Sequence, residues 1–278
     1  MNTPVDSGSE TVLGWIDEGV GVIHLNRADR SNALDPEMYD AIPRLIEIYE
    51  ADDDVGCILV TAAGRAFCAG GDVQAGVERS RRIAAGEEEP DDAAASQDGS
   101  LLAHQARMVV MLHHSPKVSL AAINGPAVGA GVGIALSTDL RIAGNAGALV
   151  TGWGKLAFSG DFGGTWFLST MLGHARALEL LVSGEKISAD RGLELGLFNR
   201  VVHDHELDVK ALEWAKQIAA GPTRTHALMK QNVLDAATKT LAEALPGESS
   251  RMRASGQSDE HRQAVRAWLK AAKAKRSS

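Results

Sequence analysis

The sequence predicts an α/β fold, with a sheet-based core over residues 11–200 and a helical region over 201–278. Three observations carry this. Short apolar runs at 57–61 and 118–123 each lead into a glycine-containing turn, as strands covered on both faces do. Apolar residues recur at helical spacing from about Thr165 onward. The composition, 45% hydrophobic and 23% charged with 29 Gly in 278 residues, is that of a packed globular chain.

Residues 1–10 are small and polar, which predicts a disordered tail with structure starting near Thr11. The β-branched runs 12–16 and 20–25, separated by Asp17-Glu18-Gly19, read as a hairpin. Asp35-Pro36-Glu37 supplies an N-cap, a proline suited to the first helical position and an early acid. Met38, Ala41, Ile42, Leu45, Ile46 and Tyr49 then share one helical face. The strand at 57–61 follows. Residues 75–100 hold Arg79, Arg81 and Arg82 and the acidic run from Glu87 to Asp92, and read as a long mobile loop. The second buried strand, 118–123, runs through a glycine turn into a helical pattern ending near Leu136. Beyond 140–143 helices are expected over 165–181, 207–220, 223–244 and 259–275.

A formal net charge of -8 argues against broad binding to nucleic acid or an anionic membrane, leaving room for a local basic patch that grips phosphates. The first seven residues lack the basic and apolar parts of a secretory signal, and no apolar run is long enough to span a bilayer. A cytoplasmic protein with small-molecule partners is therefore expected. Cys57 and Cys68 lie in no metal-binding pattern and are expected as reduced interior thiols.

Two turns place small residues at strand-to-helix junctions, where unpaired backbone N–H groups can hold an anion. They are Gly64-Arg65-Ala66-Phe67-Cys68-Ala69-Gly70-Gly71-Asp72 and Asn124-Gly125-Pro126-Ala127-Val128-Gly129-Ala130-Gly131-Val132-Gly133. Either alone reads as a tight connection. As an ordered pair, each after an apolar strand, they resemble the two oxyanion-hole segments of the crotonase (enoyl-CoA hydratase/isomerase) superfamily. The resemblance covers nearly the whole chain. Asn26-Arg27 with Ser31-Asn32-Ala33-Leu34 is similar to the family's coenzyme A-lining segment, with Ala28 in place of the usual proline. Phe162-Gly163-Gly164-Thr165, Gly184-Glu185-Lys186-Ile187-Ser188-Ala189 and Gly196-Leu197-Phe198-Asn199-Arg200-Val201-Val202 match further family stretches.

This resemblance implies a spiral of ββα units with a C-terminal helical trimerisation region, a homotrimer or dimer of trimers, and an acyl-CoA thioester as substrate. No separate cofactor is implied, since coenzyme A is part of the substrate. Gly71 and Ala130 are expected to supply the two N–H donors that hold the enolate oxygen. Arg30, Ala33, Ala69, Asp72, Val73, Gln74, Gly129 and Trp153 are the expected substrate- and coenzyme A-binding set. Ordinary hydratases of the family use two glutamates, and here those positions hold Gly133 and Trp153. Double-bond isomerisation is therefore favoured, with Asp161, among apolar neighbours, as the proton shuttle. Two readings of Asp161 stand at this point, proton shuttle or helix N-cap. Trp153 has two as well, a wall for the acyl chain or core filling. Hydration or other enolate chemistry, and a non-catalytic acyl-CoA binder, are the alternatives.

Other constellations fail. The second turn has Ile134 where a dinucleotide fingerprint needs glycine, and there is no nucleophile elbow. His203-Asp204-His205-Glu206 lacks a distant third ligand. The basic C-terminal residues complement a helix dipole whether or not they meet coenzyme A phosphates.

Overall fold

The computed structural model describes residues 2–87 and 100–276. β1 (Thr3–Val5), β2 (Val12–Asp17) and β3 (Val20–Leu25) form an antiparallel ribbon. β3 then pairs in parallel with β4 (Cys57–Ala62), and β4 with β5 (Val118–Ile123). β7 (Leu140–Gly144) and β10 (Arg200–Val202) continue the sheet in parallel. A second, small sheet joins β6 (Pro126–Val128), β8 (Ala148–Val150) and β9 (Lys186–Ser188) in the order β6-β8-β9.

The two-residue period of a strand splits the apolar runs between two cores. Ile23, Leu25, Ile58, Val60, Ala121 and Ile123 face a large cluster that includes α1 (Pro36–Ala51). Val20, Val22, Cys57, Leu59, Leu120 and Ala122 face the other way, onto Leu207, Ala211 and Ala215. Both faces are covered, so these strands read as continuous apolar runs.

Between the strands lie α2 (Val73–Ala84), α3 (Ser100–Gln105), α4 (Arg107–His114) and α5 (Ala130–Ser137). α6 (Gly164–Leu172), α7 (His174–Ser183) and α8 (Ala189–Glu194) follow. The chain ends in α9 (Leu207–Ala219), α10 (Thr223–Thr238), α11 (Leu241–Gly256) and α12 (Asp259–Arg276). α10 is tied to the sheet by Lys230, whose Nζ donates to Asp139 Oδ2 at 2.8 Å and to the Leu112 carbonyl at 3.1 Å. Among the described residues no helix is long and apolar enough to cross a membrane.

Several local expectations need correction. The polar start is no tail: Thr3–Val5 pairs with β2, and the buried Ser7 hydroxyl donates to the Val12 carbonyl at 2.5 Å. Short polar segments order when main-chain hydrogen bonds are available to them. The loop expected over 75–100 is helical as far as Ala84, started by Asp72 accepting from the Ala75 N–H. The rest of that span between 88 and 99 lies outside the described residues. The helix expected over 165–181 is two helices divided at Gly173 (φ 76°), because a left-handed residue ends the ladder. The one expected over 223–244 breaks before α11, where Thr240 and Glu243 form a capping box.

Candidate active site

The two glycine turns lie against each other. Cys68 bridges Ala127, and the Val128 N–H donates to the Cys68 carbonyl at 2.8 Å. A Cβ on Gly70 would stand 2.7 Å from the Val128 carbonyl and 3.3 Å from the Ala130 nitrogen. A Cβ on Gly131 would meet the Cys68 carbonyl at 2.3 Å, so only glycine permits this approach. Gly71 opens on free space, with nothing within 4 Å of a built Cβ. Neither the Gly71 nor the Ala130 N–H takes a main-chain acceptor among the described residues. Ala130 opens α5, so its N–H sits at the positive end of that helix. Two free N–H groups on adjoining turns can hold one oxygen that develops negative charge.

The segment that resembles the coenzyme A-lining stretch folds onto the first turn. Asn32 is fully buried and satisfied: it donates to the Ala63 and Ala66 carbonyls, both at 2.8 Å, and accepts from the Arg27 N–H. Leu34 bridges Gly71. Arg27 Nη1 reaches the Ala33 carbonyl at 3.0 Å and Asp72 Oδ2 at 2.9 Å. The Ala75 N–H, and after it Arg27, hold the Asp72 carboxyl below the usual carboxylate range. Arg30 donates to Gln74 Oε1 at 3.1 Å, Val73 is half exposed beside it, and Ala69 donates to the Ser31 carbonyl. The structure thus gathers Arg30, Ala33, Ala69, Asp72, Val73 and Gln74 along one edge of the first turn. Arg27 organises this edge, a role that spacing alone does not disclose because its partners lie up to 45 residues away.

Asp161 stands on the second turn's side. Its Oδ1 accepts from Trp153 Nε1 at 2.7 Å, and that nitrogen lies 3.7 Å from a Cβ built on Gly129. Burial pushes the Asp161 carboxyl above its ordinary value, and the indole N–H pulls part of the way back. The helix-cap reading fails: the N-cap of α6 is Gly163, and the Asp161 side chain is engaged with Trp153. Trp153 is 6% exposed and packs in the core, and beyond filling that space it fixes one carboxylate oxygen; the other has no hydrogen-bond partner among the described residues.

Gly133 is closed to any side chain by its neighbour. Phe162 adopts φ 48°, and its carbonyl would stand 2.2 Å from a Cβ on Gly133. No side chain fits there while Phe162 holds this turn. Cys68 is buried beneath the first turn, and burial pushes its thiol up to about 12, as it does that of Cys57. The histidines at 203 and 205 flank a tight turn in which Asp204 caps the Ala146 N–H; among the described residues no three candidate ligands converge on a metal position.

The family model described as enoyl-CoA hydratase/isomerase matches residues 16–276. An Escherichia coli K12 protein named 1,2-epoxyphenylacetyl-CoA isomerase is 35% identical over 260 residues, spanning 94% of this chain and 95% of its own. An Arthrobacter protein named 4-chlorobenzoyl coenzyme A dehalogenase-2 is 29% identical over 224 residues, covering 81% and 78%. The crystal structure of an enoyl-CoA hydratase from Polaromonas sp. JS666 superposes with a TM-score of 0.84 at 28% identity, over 94% of this chain and 97% of that one. The chain belongs to the enoyl-CoA hydratase/isomerase family and has its crotonase fold. That family acts on acyl-CoA thioesters.

Proposed function

We propose that this protein shifts the double bond of an enoyl-CoA, with Gly71 and Ala130 holding the thioester oxygen and Asp161 moving the proton. The observation that carries this is a carboxylate with a raised pKa, anchored by Trp153 beside the second turn, with glycine and tryptophan at the two positions that correspond by resemblance to the hydratase glutamates. The carboxylate takes a proton from the carbon beside the thioester carbonyl. Charge moves to the carbonyl oxygen, where each N–H donor lowers the barrier by roughly 3 kcal/mol. The same proton returns two carbons further out as the double bond migrates. Atoms and charge balance without a cofactor, and Arg30 and the edge around Gln74 serve the coenzyme A moiety.

Incubation with a 2-enoyl-CoA and a 3-enoyl-CoA, followed by mass analysis, tests the reaction. Isomerisation leaves the mass unchanged, whereas a gain of about 18 Da, one water, would show hydration instead. Full turnover by Asp161→Asn would refute its role. 4-Chlorobenzoyl-CoA belongs in the panel because of the name of the Arthrobacter relative, and chloride release would replace the isomerase reading with nucleophilic attack. Tight acyl-CoA binding with no product at all would mark a non-catalytic subunit.

We further propose a cytoplasmic homotrimer or dimer of trimers. α9 packs Leu212, Trp214 and Ile218 on its own sheet, but Val233, Leu241, Met252 and Trp268 on the later helices are 69–75% exposed. Apolar residues so placed suit an interface. A folded, active monomer at micromolar concentration in light scattering would overturn this.

A further inference from the structure

Tyr39 closes the first turn of α1, off the apolar face of that helix, and packs only in part against the core. Its surroundings place it between the two halves of the site. Leu34, just before α1, bridges Gly71 of the first turn. On the other side the Tyr39 ring meets that of Phe162, the neighbour of Asp161, with centroids 6.3 Å apart and planes tilted by 37°. The phenol is close enough to Cys68, Asp161, Asp35 and Asp72 to feel all four electrostatically. Its hydroxyl nevertheless has no hydrogen-bond partner among the described residues.

Such a partly buried hydroxyl can bond solvent in the free protein, and an acyl group that displaces the solvent must supply an acceptor or leave the hydroxyl unpaired. Burial, then the neighbouring acids, push the phenol up to about 12, so at working pH it is a neutral O–H and a donor. Thioester oxygen is already served by the two backbone N–H groups, and Asp161 is already held by Trp153. The second Asp161 oxygen is the one that the proposed reaction turns to the substrate proton, which leaves the acyl group itself to supply the acceptor.

We propose that Tyr39 is a specificity residue of the acyl pocket, its ring forming a wall with Phe162 and its hydroxyl donating to an oxygen on the acyl group. The preferred substrates are then acyl-CoA thioesters that carry an ether, epoxide, hydroxyl or carbonyl oxygen beyond the reacting carbons. This rests on the acyl-CoA site described above.

Calorimetric binding of cyclohexylacetyl-CoA and of the three tetrahydropyranylacetyl-CoA ring isomers tests it without requiring turnover. In the wild-type protein at least one oxygen isomer should bind about tenfold more tightly than the carbocycle, the effect of one hydrogen bond to an otherwise unpaired group. Tyr39→Phe keeps the ring against Phe162, so it should leave the carbocycle's affinity within about twofold while removing the preference. Tyr39→Ala, lacking the wall, should weaken all four ligands. If all bind equally, or if the preference survives in Tyr39→Phe, the inference about Tyr39 fails while the acyl-CoA site stands. If none binds to the wild-type protein, the site itself is misassigned, and the inference falls with it.

Discussion

Trp153→Phe separates holding a carboxylate from filling space. The indole N–H donates to Asp161 at 2.7 Å, and the far corner of the ring packs so closely on the start of α6 that a Cβ on Gly164 would lie 2.2 Å from it. A hydrogen bond to a charged acceptor is worth roughly 1.5–3 kcal/mol. The lower end applies here because Asp161 is only half-buried. That is about tenfold in rate. The sign follows from the direction of the shift: burial already raises the Asp161 pKa, the N–H opposes it, and loss of the N–H raises it further. A base works only when ionised. Wild-type kcat/KM should fall as pH drops through the Asp161 titration, and in Trp153→Phe that limb should move to higher pH. Near neutrality the variant should lose about tenfold, recovering part of it at alkaline pH. A rate lowered equally at every pH, with an unmoved limb, would mean that Trp153 acts by volume alone.

Asp161→Asn should abolish isomerisation yet raise rather than lower the thermal midpoint at neutral pH, readable by calorimetry. A carboxyl whose folded pKa is raised contributes stability below its ordinary range and loses it as pH rises through the folded value, so the gain should vanish in acid. Gly133→Ala forces a methyl group onto the Phe162 carbonyl and should cost about 1–3 kcal/mol in chemical denaturation, with loss of activity through the displaced Asp161; Gly133→Glu should not create a hydratase. Lys230→Ala takes from the partly buried Asp139, held also by the Ser119 N–H and hydroxyl, its ion-pair partner and should cost about 1–3 kcal/mol; an unchanged denaturation midpoint would refute the anchoring of α10.

By itself the sequence determined the fold class, because runs such as 57–61 and 118–123 are short, bounded by turns and apolar but for Thr61 and Ser119, as strands covered on both faces are. It also determined the two turns, since Gly70 and Gly131 meet backbone that no side chain could approach so closely. The ordered ribbon at Thr3–Val5, the helical stretch after Asp72 and the break at Gly173 were not legible, because main-chain pairing and capping outweigh composition in short polar segments. Which group the Asp161 carboxylate bonds was likewise decided only in three dimensions. Its sequence neighbours suit an N-cap, and that it meets the Trp153 indole instead depends on where Phe162 turns the chain and how far the indole reaches. Tyr39 is the extreme case: its sequence position is an ordinary helical one, and it faces the site only because Leu34 pairs with Gly71 while Phe162 closes from the opposite side. Periodicity is local and can be read along the chain, whereas the surroundings of a single polar group can be set by a residue more than a hundred positions away, as Phe162 does for Tyr39.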